Sequence, residues 1–206
     1  MSQQEPDKIY NEVVYRSATL DDCTQLTLIA DMASRRLASY FWGQSAGAGQ
    51  SAFVFGRDVI RNNETHLAHF TNWRVAERGG IFIGAFNGHI LPPAEQQPRP
   101  DSPVAQPPYE LKQIAAGSWY LPALAIMPEF QGLGYAPPLL KEAERCANYA
   151  GATELTLLVG SFNHKALRLY TKCGFIARDR RSFVPFPGSD SEGEWILMSK
   201  ALASTQ

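Results

Sequence analysis

The sequence has too few cysteines, spaced too widely, to be held together by disulfides or by zinc. Its three, Cys23, Cys146 and Cys173, include no close pair of the kind that ligates zinc or cycles as a dithiol. They fit a reducing compartment in which thiols are mostly buried. A surplus of charge is missing as well: 19 Lys and Arg stand against 20 Asp and Glu. A broad electrostatic surface for nucleic acid is therefore excluded, and at most a local basic patch remains. No apolar run approaches the ~20 residues that cross a bilayer. Met1 to Pro6 is polar and acidic, unlike a secretory leader. These absences set the expectation of a soluble, cytoplasmic protein with no metal, no nucleic-acid partner and no membrane partner.

What is there is an ordinary globular balance, with 45% apolar and 19% charged residues over 206 positions. That is enough to bury a core without staples, and the length suits one domain covering 1–206. No internal repeat interrupts it. Val13-Val14-Tyr15-Arg16 reads as a first strand, and Thr19 followed by Asp22 as a capping box. Leu26, Ile29, Ala30, Ala33 and Leu37 recur at helical spacing. They predict one helix running on into Tyr40-Phe41-Trp42, ended by the Gly/Ser/Ala-rich stretch from Gly43 to Gly49. A second helix is expected from about Phe53 to Arg61. The runs Trp73 to Glu77 and Ile81 to Phe86, joined at Gly79-Gly80, predict a hairpin.

Between Leu91 and Tyr109 lie half of the chain's 14 prolines, mixed with glutamines. Proline joins neither a ladder nor a helix interior, so residues 91–109 are expected to form an inserted loop. It does not divide the chain, because neither side carries a complete core pattern. Beyond it the order is strand (Ser118 to Met127), turn, helix (Pro137 to Ala150) and strand (Leu155 to Val159). A compact helix (Asn163 to Lys172) and two closing strands at Phe175 to Ala177 and Trp195 to Met198 follow. This alternation predicts an α/β fold with a mixed central sheet flanked by helices.

The turn after the Ser118–Met127 strand reads Gln131-Gly132-Leu133-Gly134-Tyr135-Ala136, and a helix begins at once. Small residues let a ligand approach the backbone, and free N–H groups at a helix start attract an anion such as a pyrophosphate. Any loop before a helix can carry two glycines, so this turn gains weight only with a second block. That block is Asn163-His164-Lys165-Ala166-Leu167-Arg168-Leu169-Tyr170, followed by Thr171-Lys172-Cys173-Gly174-Phe175. The two blocks, in this order and separation, resemble the GCN5-related N-acetyltransferases. In that family a strand ending in a V-x-P-x-Y-like turn precedes [R/Q]-x-x-G-x-[G/A] and a helix, and an N-x-x-A-x-x-x-Y-x-x-x-G-F block comes later. Ile126-Met127-Pro128-Glu129-Phe130 matches the turn, and Gln131, Gly134 and Ala136 match the signature. Asn163, Ala166, Tyr170, Gly174 and Phe175 match the later block. The resemblance covers Trp119 to Phe175, and the N-terminal third fits in outline.

The resemblance implies the acyl-CoA N-acyltransferase fold, whose central sheet is splayed, and acetyl transfer from acetyl-CoA to a primary amine in a ternary complex. It implies no metal. The pantetheine arm would lie along Leu124-Ala125-Ile126 like an added strand, pairing with the backbone of Leu124 and Ile126. The N–H groups of Gly132, Leu133, Gly134, Tyr135 and Ala136 would hold the pyrophosphate, Gln131 would belong to the cofactor site, and Asn163 would reach the cofactor arm. Tyr170 would protonate the departing thiolate, because a phenol is protonated near neutral pH. A backbone N–H at or near Leu124 would face the acetyl oxygen. Each residue also has a plainer role: Asn163 as an N-cap, Tyr170 as a core aromatic, His164 as a solvated first-turn residue.

Two departures from the pattern matter. Pro137 and Pro138 remove N–H donors from the first turn of the phosphate-side helix, and Leu133 stands where a basic residue is frequent. No glutamate occupies the strand before the asparagine block, where Leu158 stands, so the general base is unassigned among Ser118, Tyr120, Glu129 and a water relay. The resemblance places the acceptor, a small-molecule or peptide amine, near the first helices. That region is Arg35 to Trp42, followed by the glycine-rich break, and in it Tyr40, Phe41 and Trp42 either receive the amine on their ring faces or belong to the core. The 91–109 insert either caps the site or decorates its rim. An enzyme that uses another acyl-CoA donor or modifies a protein lysine or N-terminus, and a degenerate acyl-CoA-binding or sensing module, are the competing readings. Pairing through sheet edges, as a homodimer, is compatible with either.

Overall fold

The computed structural model describes residues 12–189 and 192–203; Met1 to Pro6 lies outside them. Strand β1 (Val13–Ser17) leads through a short 3-10 turn into helix α1 (Cys23–Ala33). The Thr19 N–H donates to the Asp22 carboxylate at 2.7 Å, the reciprocal half of the capping box. Helices α2 (Leu37–Ser45) and α3 (Ala52–Asn62) follow, then the hairpin of β2 (Trp73–Arg78) and β3 (Ile81–Ile90). Gly79 and Gly80 turn that hairpin with φ of 56° and 80°, the left-handed pair that matches strand twist. Helix α4 (Gln106–Ile114), β4 (Trp119–Ile126), α5 (Ala136–Tyr149), β5 (Glu154–Gly160), α6 (His164–Lys172), β6 (Ile176–Ser182) and β7 (Glu194–Ala201) complete the order.

The seven strands form one mixed sheet in the order β1-β2-β3-β4-β5-β7-β6. Only β4 and β5 pair in parallel; the other pairings are antiparallel. On one face Cys23, Leu26 and Ile29 of α1 and Ile60 of α3 bury against Trp73, Val75, Ala85 and Ala123. On the other, Leu139, Leu140, Ala143 and Ala147 of α5 pack with Leu155, Leu157, Val159 and Phe175. A third cluster joins α4 to the β6–β7 end through Leu111, Phe183, Phe186 and Trp195. The α5 layer is also tied electrostatically, since buried Glu142 accepts from Arg145 at 2.7 Å and from Arg74 of β2 at 3.1 Å. Those guanidinium groups, Arg145 foremost, hold its carboxyl below the usual glutamate range.

Two expectations are corrected here. The predicted first helix is broken: α1 stops at Ala33, and Arg35 and Arg36 adopt left-handed φ of 51° and 70°. Polar side chains make the restart possible, because Ser34 Oγ accepts from the Ala38 N–H at 3.0 Å and Asp31 accepts from Ser39 at 2.9 Å. The two caps lie hidden inside an apolar periodicity that runs straight through them. The 91–109 insert is not wholly a loop either. Its last prolines, Pro107 and Pro108, occupy the first turn of α4, where a missing N–H costs nothing. Leu91 and Val104 are buried, so the insert is docked on the body.

Candidate active site

The site begins where two neighbouring strands part. β4 and β5 share only the Trp119–Leu155 and Tyr120–Thr156 pairs, although both strands continue. β4 stays with β3 up to Ile126, and β5 stays with β7 over its whole length, so a gap opens between them. The cause is local. The β3–β4 register shifts between Asn87 and His89, and Pro122, which has no N–H, stands in β4 at that bulge.

Beyond the bulge the backbone of β4 is exposed along one edge. The Met127 N–H donates to the Ile83 carbonyl of β3 at 2.9 Å. Successive N–H groups alternate along a strand, so those of Leu124 and Ile126 face the gap. The Ile126 carbonyl there accepts from Gln131 Nε2 at 2.9 Å, which fastens the following turn to the strand end.

That turn carries Gly132 and Gly134 at φ of 80° and 85°, conformations in which a side chain is strained. It delivers the chain into α5 with Tyr135 as N-cap, Ala136 first, and Pro137 and Pro138 directly after it. Pro137 and Pro138 have no N–H, so the backbone donors of this corner lie before them, in the turn and at Tyr135 and Ala136. Arg78 donates to the Tyr135 hydroxyl at 2.8 Å, bringing a cation from β2 to the same corner.

A cleft of about 680 Å³ occupies the gap. Leu124, Ala125, Ile126, Gln131, Gly132, Gly134, Tyr135 and Ala136 form one wall, and Leu158 to Gly160 with Asn163 and Tyr170 form the other. Among the described residues, the charged groups on its lining are Arg35 and Lys165, and none is a carboxylate. Such a cleft favours an anionic ligand. Asn163 caps α6, its side chain accepting from the Ala166 N–H at 3.3 Å while the residue borders the cleft. Tyr170 is buried and rests on Phe175, ring centroids 5.6 Å apart. Burial, with a smaller contribution from Cys173, pushes its phenol up to about 12. Its hydroxyl makes no hydrogen bond to another described residue.

Not every expected site residue reaches this cleft. Leu133 is 64% exposed and lies off the lining. Tyr40 packs on Phe186 at 4.8 Å, Phe41 packs on Tyr40, and Trp42 lies against Gly56, so none of the three borders it. In their place the α1 end contributes Met32, Ala33 and Arg35, and β7 contributes Trp195. The candidate bases are also elsewhere: Ser118 bonds Thr156 at 2.6 Å in the interior, Tyr120 is buried in the α4 cluster, and Glu129 is off the lining.

A model of the acetyltransferase (GNAT) family matches residues 37–175. The chain belongs to that family. The match ends on Phe175 and takes in the open strand, the glycine turn and the Tyr170 helix. Solved structures agree on the fold. A ribosomal-protein-alanine N-acetyltransferase from Brucella melitensis superposes with a TM-score of 0.58 at 19% identity, covering 92% of this chain and 99% of that one. A spermidine N-acetyltransferase from Vibrio cholerae, solved with CoA and spermine, gives 0.58 at 18% identity over 92% and 95%. The yncA protein of Salmonella typhimurium, solved with its cofactor acetyl-CoA, gives 0.59 at 17% over 95% and 96%. No curated protein sequence matches the chain. Among the described residues no helix is long and apolar enough to cross a membrane, and no group of three His, Cys, Asp or Glu is placed to hold a metal.

Proposed function

We propose that this GNAT acetyltransferase transfers acetyl from acetyl-CoA directly to a primary amine in a ternary complex, within a single domain. The observation that carries the reading is the open β4 edge. Its Leu124 and Ile126 N–H groups face a cleft without acids, closed at one end by the glycine turn and flanked by Tyr170. The donor supplies an activated acetyl carbon with a thiolate leaving group. The Ile126 N–H suits a pantetheine amide, and those of Gly132, Gly134, Tyr135 and Ala136 suit the pyrophosphate. The Leu124 N–H suits the negative charge that develops on the acetyl oxygen.

The amine nitrogen forms a bond to the acetyl carbon as the carbon–sulfur bond breaks. Tyr170 gives its phenolic proton to the sulfur, and the nitrogen's surplus proton leaves through water and restores the phenol. A covalent acetyl-enzyme is disfavoured, since burial and then Glu144 push the Cys173 thiol up, and no cysteine lines the cleft. Among the described residues the lining offers no carboxylate base, so the amine must arrive neutral or lose its proton to water.

The pH profile of free-thiol release tests this. A general acid works while protonated, and Tyr170, raised to about 12, stays protonated throughout the working range. The value of kcat/KM should rise with pH, follow the amine's own ionisation, and show no alkaline decline below about pH 11. A lower inflection that stays fixed when the amine's pKa changes would reveal a protein base and contradict the scheme. Acetyl-CoA binding with no thiol release from any amine or peptide would favour the sensing module instead.

A further inference from the structure

Beside the cleft lies a second, smaller cavity of about 270 Å³. The two share Met32, Arg35 and Trp195 on their linings. Phe162, Phe183 and Phe186 complete its aromatic walls with Trp195, in a continuous set of edge-on and tilted ring contacts 5.1 to 6.2 Å apart. Its charged groups are Arg35, Arg36 and Asp31.

The two arginines are the left-handed residues between α1 and α2. Two consecutive non-glycine residues in that region carry strain, which persists only where the surroundings hold it. Here the Arg36 N–H donates to the Asp31 carbonyl at 3.0 Å, and the Ser34 and Asp31 side chains cap α2. The Asp31 carboxylate is thereby engaged with backbone. Arg35 lies over the Phe162 ring, 5.5 Å from its centroid. The Arg36 guanidinium lies beside Gly188, whose φ of 87° bends the facing β6–β7 loop. Neither arginine makes an ion pair with a described residue. An aromatic box is thus joined to two positively charged forks, next to where acetyl transfer is proposed.

Resting on that transfer reading, we propose that this cavity holds the acceptor, and that the acceptor is an amino carboxylate bearing an aromatic group. Arg36, with Arg35 beside it, receives the carboxylate, which guanidinium binds in a planar two-point geometry. The aromatic group packs against the face that Phe162, Phe183, Phe186 and Trp195 together present to the cavity. The amine then points past Met32 and Arg35 into the cleft, toward Tyr170. A polycation such as a polyamine is disfavoured, since the two arginines outnumber the one carboxylate, Asp31, on the lining. Arg36 borders only the smaller cavity, so it acts on acceptor selection and not on the donor.

The test compares phenylalanine, its carboxamide, phenethylamine, a phenylalanyl dipeptide and spermidine as acceptors, by thiol release. Acetyl-CoA binding is measured by calorimetry in parallel. The free amino acid should exceed each of the other four by about tenfold or more in kcat/KM. In Arg36→Gln, which keeps a side chain of similar strain, KM for the amino acid should rise about ten- to a hundredfold with kcat little changed. Arg36→Lys should recover part of that loss, and acetyl-CoA affinity should be the same in all three proteins. Preference for the carboxamide, the dipeptide or spermidine overturns the proposal, as does a preference that survives in Arg36→Gln. Either result with acetyl-CoA still bound leaves the transfer reading intact, whereas a wild-type protein that binds no acetyl-CoA removes both.

Discussion

Replacing Tyr170 by phenylalanine should lower kcat by about 10²- to 10³-fold while acetyl-CoA affinity stays within about twofold. The change removes one oxygen and leaves the ring seated on Phe175 in the α6 face of the core. Stability should hold, because the hydroxyl makes no hydrogen bond to another described residue whose partner would be orphaned. What disappears is the proton for the leaving sulfur, and a thiolate without an acid leaves more slowly. Burial keeps that proton in place by pushing the phenol up to about 12. Single-turnover thiol release beside calorimetry separates the two quantities. A variant within about threefold of wild-type rate would make Tyr170 a core aromatic only.

The second large effect is on stability. Phe175→Ala should cost about 3–5 kcal/mol, because a 2% exposed ring is removed from the cluster formed by α5, α6 and the sheet. The melting temperature should fall by roughly 6–20 °C for a chain of this size. Rate should fall as well in whatever remains folded, since Tyr170 loses the surface it rests on. Phe175→Leu, which keeps most of the volume, should cost much less. Denaturant titration of the three proteins decides it, and a loss below about 1 kcal/mol for the alanine variant would mean that the site collapses around the gap.

How much of this was legible beforehand differs by element. The hairpin at Gly79-Gly80, the α5 and α6 faces and the stop at Gly174 follow from periodicity and glycine placement, and the structure has them. The splay did not follow from periodicity, yet its cause stands in the sequence. Pro122 lies in a run that otherwise reads as a central strand, and a residue without an N–H there signals a ladder that ends. The α1–α2 break was invisible because apolar spacing continues across it, and the capping Ser34 and Asp31 look like ordinary helix positions. Prolines misled in the opposite sense at Pro107-Pro108, where a composition suited to a loop starts a helix. Lys165 stands inside the Asn163 block and Arg35 opens the segment expected to border the acceptor, whereas Trp195 comes to the cleft from β7, which no local motif reports. Tyr40 to Trp42 were attractive as an aromatic run, but helix geometry sends consecutive residues to different faces, and these pack behind the site.

The most direct test is calorimetric titration of the protein with acetyl-CoA, with CoA lacking the acetyl group as comparison. The open β4 edge and the donors of residues 132–136 predict saturable binding at one site per chain, in about the micromolar range. Gly134→Val, which forces a β-branched side chain into a left-handed turn, should weaken it. Absence of binding at millimolar acetyl-CoA would contradict the account. It would mean that Pro137 and Pro138 strip the helix start of too many donors, and that the cleft serves another ligand.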